Sequence, residues 1–106
     1  MKNDFNLTER DRRHLESALL KFPEIEKAMI FGSRAMGNSK KGSDVDLAIV
    51  GKNITSTTAL RLRFLLNEEL PLPYFFDVVR YETIANDNLK RHIDEHGVVF
   101  FPALEQ

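Results

Sequence analysis

The sequence contains no cysteine, which excludes disulfides and thiolate metal sites and agrees with a reducing cytoplasm. It has no apolar run near the roughly 20 residues that a membrane span needs. Its first residues, MKNDFNLTERDRRH, are polar where a secretory signal would be apolar. A soluble, cytoplasmic chain with no membrane partner is expected. An excess of charge is also missing: 15 Lys and Arg stand against 16 Asp and Glu, a net charge of -1. The basic surface of a general nucleic-acid binder is therefore lacking, and no obligatory nucleic-acid partner is expected. Repeats, low-complexity tracts and long linkers are absent too. What is present, 106 residues with 42% hydrophobic and 29% charged, is the composition of a single soluble domain spanning 1–106.

Periodicity gives the elements. Thr8 with Asp11 is a helix-entry signal, and Leu15, Ala18, Leu19 and Phe22 follow at i, i+3, i+4, i+7, which predicts an amphipathic helix stopped near Pro23. Lys27 to Phe31 reads as a short buried strand running into Gly32. Residues 33–43 are small, polar and basic, a loop with room for one helical turn. Asp44 to Val50 reads as a second strand whose last four residues are continuously apolar, as in a central strand. A helix is predicted from Thr55 to Leu70, a strand over Tyr74 to Tyr81, a helix from Ile84 to His96 with Gly97 as its stop, and a short strand over Val98 to Phe101. The fold class is α/β (α+β): a small mixed β-sheet flanked by helices, its strand order open.

The informative residues lie around the first two strands. Asp44 and Asp46 are two apart on a predicted strand and so share a face. Two like charges on a buried strand are costly unless something neutralises them. Mg²⁺ prefers oxygen ligands and takes one or two carboxylates together with phosphate oxygens. Asp77 is a third acid, set within the apolar run Phe75-Phe76-Asp77-Val78-Val79. If its strand lies beside that of Asp46, three carboxylates converge, enough for two metal ions about 4 Å apart of the kind that stabilise an in-line phosphoryl displacement. Gly32-Ser33, a strand end opening a helical turn, offers backbone N–H groups and a hydroxyl to an anion. Arg34 adds a planar cationic fork; a phosphate contact and a structural ion pair are equally open to it.

Gly32-Ser33, a ten-residue gap, then Asp44-Val45-Asp46-Leu47 resembles the signature of the DNA polymerase beta nucleotidyltransferase superfamily. The tighter form, GSRAMG followed by SDVDLAIV, is similar to the minimal nucleotidyltransferases, small proteins often made beside a helical HEPN partner in toxin–antitoxin or two-subunit arrangements. The resemblance implies a polymerase beta-like core, with Gly32 and Ser33 holding a triphosphate, Asp44 and Asp46 binding two Mg²⁺ ions, and Asp77 binding the catalytic one and helping to activate the attacking hydroxyl. It implies transfer of a nucleoside monophosphate, AMP by preference, from an NTP such as ATP to an acceptor hydroxyl. Met36 departs from the pattern: many relatives carry a basic residue there, which bears on how tightly the triphosphate is held. Larger relatives have a further domain for the acceptor. A HEPN-like helical protein or a second subunit is therefore expected to complete the site in an oligomer. The leading reading is an antitoxin that adenylylates its toxin. A subunit of a small-molecule (antibiotic-type) adenylyltransferase and a contact-only antitoxin are the alternatives.

Other motifs read as structural. His92-Ile93-Asp94-Glu95-His96 has the form of the inverted zinc-peptidase motif, but a third protein ligand would have to come from elsewhere, so a solvated helix face is expected. Lys40 and Lys41 read as a solvated loop. Tyr74, Phe75 and Phe76 read as core or as an edge for a partner.

Overall fold

The Thr8 hydroxyl accepts the Asp11 N–H at 3.0 Å and caps the first helix, α1 (Glu9–Leu20). Leu15, Ala18, Leu19 and Phe22 are all buried, so the predicted stripe is the face that meets the sheet. In the computed structural model, which describes residues 4–40 and 42–102, α1 is followed by β1 (Lys27–Phe31), a single helical turn α2 (Ser33–Met36), β2 (Val45–Val50), α3 (Ser56–Phe64), β3 (Phe76–Arg80), α4 (Asp87–His96) and β4 (Val98–Phe101). Lys41 lies outside the described residues.

Two predicted helices are shorter or less regular than expected. The helix predicted over 55–70 is α-helical only to Phe64. Leu65–Glu69 is wound as a π turn, with Leu70 N–H reaching Leu65 C=O. The widened turn has a consequence: the Asn67 amide bonds both backbone groups of Phe76, receiving its N–H at 2.8 Å and donating to its C=O at 3.0 Å. The last helix, predicted from Ile84, begins at Asp87 with Asn86 as its cap, and a 3₁₀ turn over Tyr81–Thr83 comes before it. Gly97 follows α4 as predicted but not in the left-handed conformation: its φ is -67°. It is small because a Cβ there would lie 2.5 Å from the Ile93 carbonyl oxygen.

The sheet has the order β3-β2-β1-β4. β1 is antiparallel to β2 and to β4, and β2 is parallel to β3, so the sheet is mixed as expected. Alternation sorts each strand onto two faces. Ala28, Ile30, Val45, Leu47, Ile49, Phe76 and Val78 face a core shared with α1 and α3. Met29, Phe31, Ala48 and Val79 face the other way, onto Leu89 and Ile93 of α4. Asp46 and Asp77 belong to this second face by the same alternation.

Candidate active site

β2 and β3 run side by side with Asp46 opposite Asp77 in the register. Directly paired residues on neighbouring strands share a face, so these two carboxylates are neighbours on the α4 side. Asp77 is exposed, and this corrects the expectation that it is an acid stranded in an apolar run. Phe76 and Val78 turn into the core while Asp77 turns out, a period of two within a run whose composition hid it. Asp44 falls one residue before β2, which starts at Val45, and is exposed rather than part of the strand.

Asp46 is half-buried and is the electrostatic centre of the group. Burial pushes its carboxyl above the usual aspartate range, and the negative charges of Asp77 and Asp44 push it further; His92 opposes them. Among the described residues none of the three acids forms a salt bridge or a side-chain hydrogen bond.

Gly32 closes the site from β1. Its φ of 77° and ψ of -154° lie in a region that essentially only glycine enters. Its Cα stands so near Asp46 that a Cβ would be 2.3 Å from Oδ2. The chain then turns into α2, where Ala35 and Met36 N–H both reach the Gly32 carbonyl. The N–H groups of Ser33 and Arg34, first in the turn, have no acceptor within it. Gly37 ends the turn in the left-handed conformation.

Two residues behave differently from expectation. Arg34 does not face the site. It is 2% exposed, and its guanidinium donates to the carbonyls of Ser43 (3.1 and 2.6 Å), Phe5 (3.0 Å) and Asn6 (2.9 Å) while lying 4.6 Å over the Tyr74 ring. Its partners are carbonyls, not a carboxylate, and its donor fork is turned away from any phosphate at Gly32. Arg34 holds the loop that delivers Asp44. Tyr74 in turn donates to Asp11 of α1 at 2.7 Å, so only Phe75 of the aromatic trio is strongly exposed.

His92, read as solvated, is part-buried. Its Nε2 accepts the Gly32 N–H at 3.3 Å, and its ring meets Phe31 edge-on at 6.0 Å and His96 at 5.2 Å.

Among the described residues, no three His, Cys, Asp or Glu side chains stand close enough to enclose a metal ion as they are. The donor chemistry nonetheless fits a hard divalent cation. The acids offer only oxygen, Asp46 forms no salt bridge among the described residues, and the carboxylates of Asp44 and Asp77 are exposed. No helix among the described residues is long and apolar enough to cross a membrane.

Residues 13–106 match the family described as Polymerase beta, Nucleotidyltransferase. No curated protein matches the chain. Among solved structures the chain resembles a toxin–antitoxin crystallised with AMP-PNP, with a TM-score of 0.70 and 19% identity over 87% of this chain and 73% of the other. It also resembles a complex of a tri-AMPylated Shewanella oneidensis HEPN toxin with an MNT antitoxin (TM-score 0.67, 16% identity, 92% and 74% covered). A third likeness is to the toxin–antitoxin MntA-HepT (TM-score 0.67, 16% identity, 91% and 74% covered). At these identities the likeness is one of fold.

Proposed function

The chain belongs to the polymerase beta nucleotidyltransferase family, and from that premise we propose that it moves AMP from ATP to a hydroxyl on a HEPN-like helical partner, as the antitoxin of a pair. The observation that carries the reading is the pairing of Asp46 with Asp77 across β2 and β3, beside the Gly32 turn. A family of this kind needs acids held together where a triphosphate can reach them, and that pairing supports it.

Asp44, Asp46 and Asp77 would hold Mg²⁺, and the bound cations would supply charge neutralisation to the attacking and leaving oxygens. The chain's own groups do the rest. The Ser33 hydroxyl, with the N–H groups of Ser33 and Arg34, would bind the triphosphate and fix its orientation. Asp77, the more exposed of the paired acids, would take the proton of the acceptor hydroxyl. The acceptor oxygen then bonds to the α-phosphorus as the bond from that phosphorus to the bridging oxygen breaks, and pyrophosphate leaves. Such catalysis is mostly positioning and electrostatics, so a small site suffices.

The partner and the nucleotide rest on the neighbours. One is an MNT antitoxin beside an AMPylated toxin, and another holds AMP-PNP. The partner would complete the acceptor site in a hetero-oligomer, and the absence of cysteine favours the cytoplasm.

The test is to incubate the chain and its helical partner with Mg²⁺ and each NTP, then weigh both intact proteins. A gain of one or more AMP masses on the partner, abolished by Asp44→Asn, is the expected result. A stable complex with no gain on either chain would contradict transfer to the partner.

A further inference from the structure

The His92–Gly32 hydrogen bond joins two elements 60 residues apart in sequence, and it falls at the glycine that stands against the Asp46 carboxylate. We propose that His92 is the positioning residue of the nucleotide-binding turn. Gly32 has the widest conformational choice of any residue type, yet the site needs it in one conformation, open essentially to glycine alone, against the Asp46 carboxylate. Capture of its N–H by an imidazole removes much of that choice.

The imidazole is itself held. Ile93, the next residue on α4, is only 1% exposed and packs against Ala48 and Phe31. Phe31 and His96 flank the ring. Three consequences follow from the geometry. Nε2 is an acceptor, so neutral His92 carries its proton on Nδ1. The Gly32 N–H is occupied, so triphosphate recognition falls to the N–H groups of Ser33 and Arg34. The docking of α4 on the sheet is coupled to the shape of the turn, through a residue that touches no reacting atom.

The tautomer can be read without nucleotide, and only the affinity arm rests on the functional reading above. Imidazole ¹⁵N shifts at mildly alkaline pH are expected to show Nδ1–H for His92. In Mg²⁺-ATP titrations, His92→Ala is expected to weaken affinity about tenfold, the scale of one lost hydrogen bond at a preorganised site. His92→Gln, whose amide oxygen can take the place of Nε2 as acceptor, is expected to recover most of it. A merely structural role would lower the melting temperature of both variants and leave the affinity of the folded protein unchanged. An Nε2–H tautomer would overturn the proposal, as would a Gln variant no better than Ala at equal melting temperature. A wild-type chain with the Nδ1–H tautomer and no nucleotide binding would instead contradict the proposed function.

Discussion

Gly32 and Asp46 stand so close that a Cβ on Gly32 would lie 2.3 Å from Asp46 Oδ2. The glycine of the turn and the central acid thus form one steric unit, each fixing where the other can be. Gly32→Ala is therefore expected to act twice. It places a side chain at φ 77°, a strain of roughly 1–3 kcal/mol, and it drives the Asp46 carboxylate aside. Thermal melts should show the first effect and Mg²⁺-ATP titration the second, with affinity reduced at least tenfold.

Asp46 predicts a pH dependence. Its folded pKa lies above its unfolded value through burial and the neighbouring Asp77 and Asp44 charges. The folded chain therefore holds the proton more tightly, and the associated stability is present at acid pH and lost as pH rises through the raised value. At neutral pH without divalent cations, Asp46→Asn is expected to melt higher than wild type. The gap should close as the pH falls toward the ordinary aspartate value. Mg²⁺ should raise the melting temperature of wild type at neutral pH and leave Asp46→Asn unmoved. Melts across a pH series with EDTA or Mg²⁺ check both statements.

Arg34 is expected to behave as a fold residue. Its guanidinium reaches three carbonyls from two segments and covers Tyr74. Arg34→Ala strands those carbonyls and is expected to cost about 3 kcal/mol or more in urea denaturation. Arg34→Lys lacks the fork and should recover little. Because Arg34 holds the Ser43 carbonyl next to Asp44, the folded fraction is also expected to bind Mg²⁺-ATP more weakly, which calorimetric titration checks.

Asn67 is expected to report on β3. Its amide pairs both backbone groups of Phe76, the residue before Asp77. Asn67→Ala should cost about 1–3 kcal/mol and speed hydrogen exchange at the Phe76 amide. Transfer should fall although the substituted residue bears no chemistry.

Much of this was legible in the chain. The stripe Leu15, Ala18, Leu19, Phe22 buries as its spacing says. The Gly32-Ser33 and Asp44/Asp46 pattern falls on a turn and a strand start, as strand–turn chemistry requires. Asp77 was placed on the right strand and given the wrong surroundings, because an apolar run was weighed by composition where alternation decided it.

The remaining differences are of a different kind. Arg34 finds its carbonyls at Phe5 and Asn6, 29 and 28 residues away, and no local pattern announces a guanidinium that folds back that far. His92 did leave a signal. With Leu89, Ile93 and His96 it forms an i, i+3, i+4, i+7 set, so the periodicity put it beside the packed stripe of α4. Charged neighbours at Asp94 and Glu95 masked that. The π turn at Leu65–Glu69 had no precursor in the sequence, and the bonds it brings, from Asn67 to Phe76, join segments that no local pattern links.

The central claim is that the paired acids Asp46 and Asp77 make a divalent-cation site for a nucleoside triphosphate. Calorimetric titration of ATP into the chain, with Mg²⁺ or EDTA, tests it most directly in wild type, Asp46→Asn and Asp77→Asn. The account predicts saturable binding for wild type with Mg²⁺, lost in EDTA and lost in both variants. Equal binding by wild type and Asp77→Asn, or binding indifferent to EDTA, would contradict it.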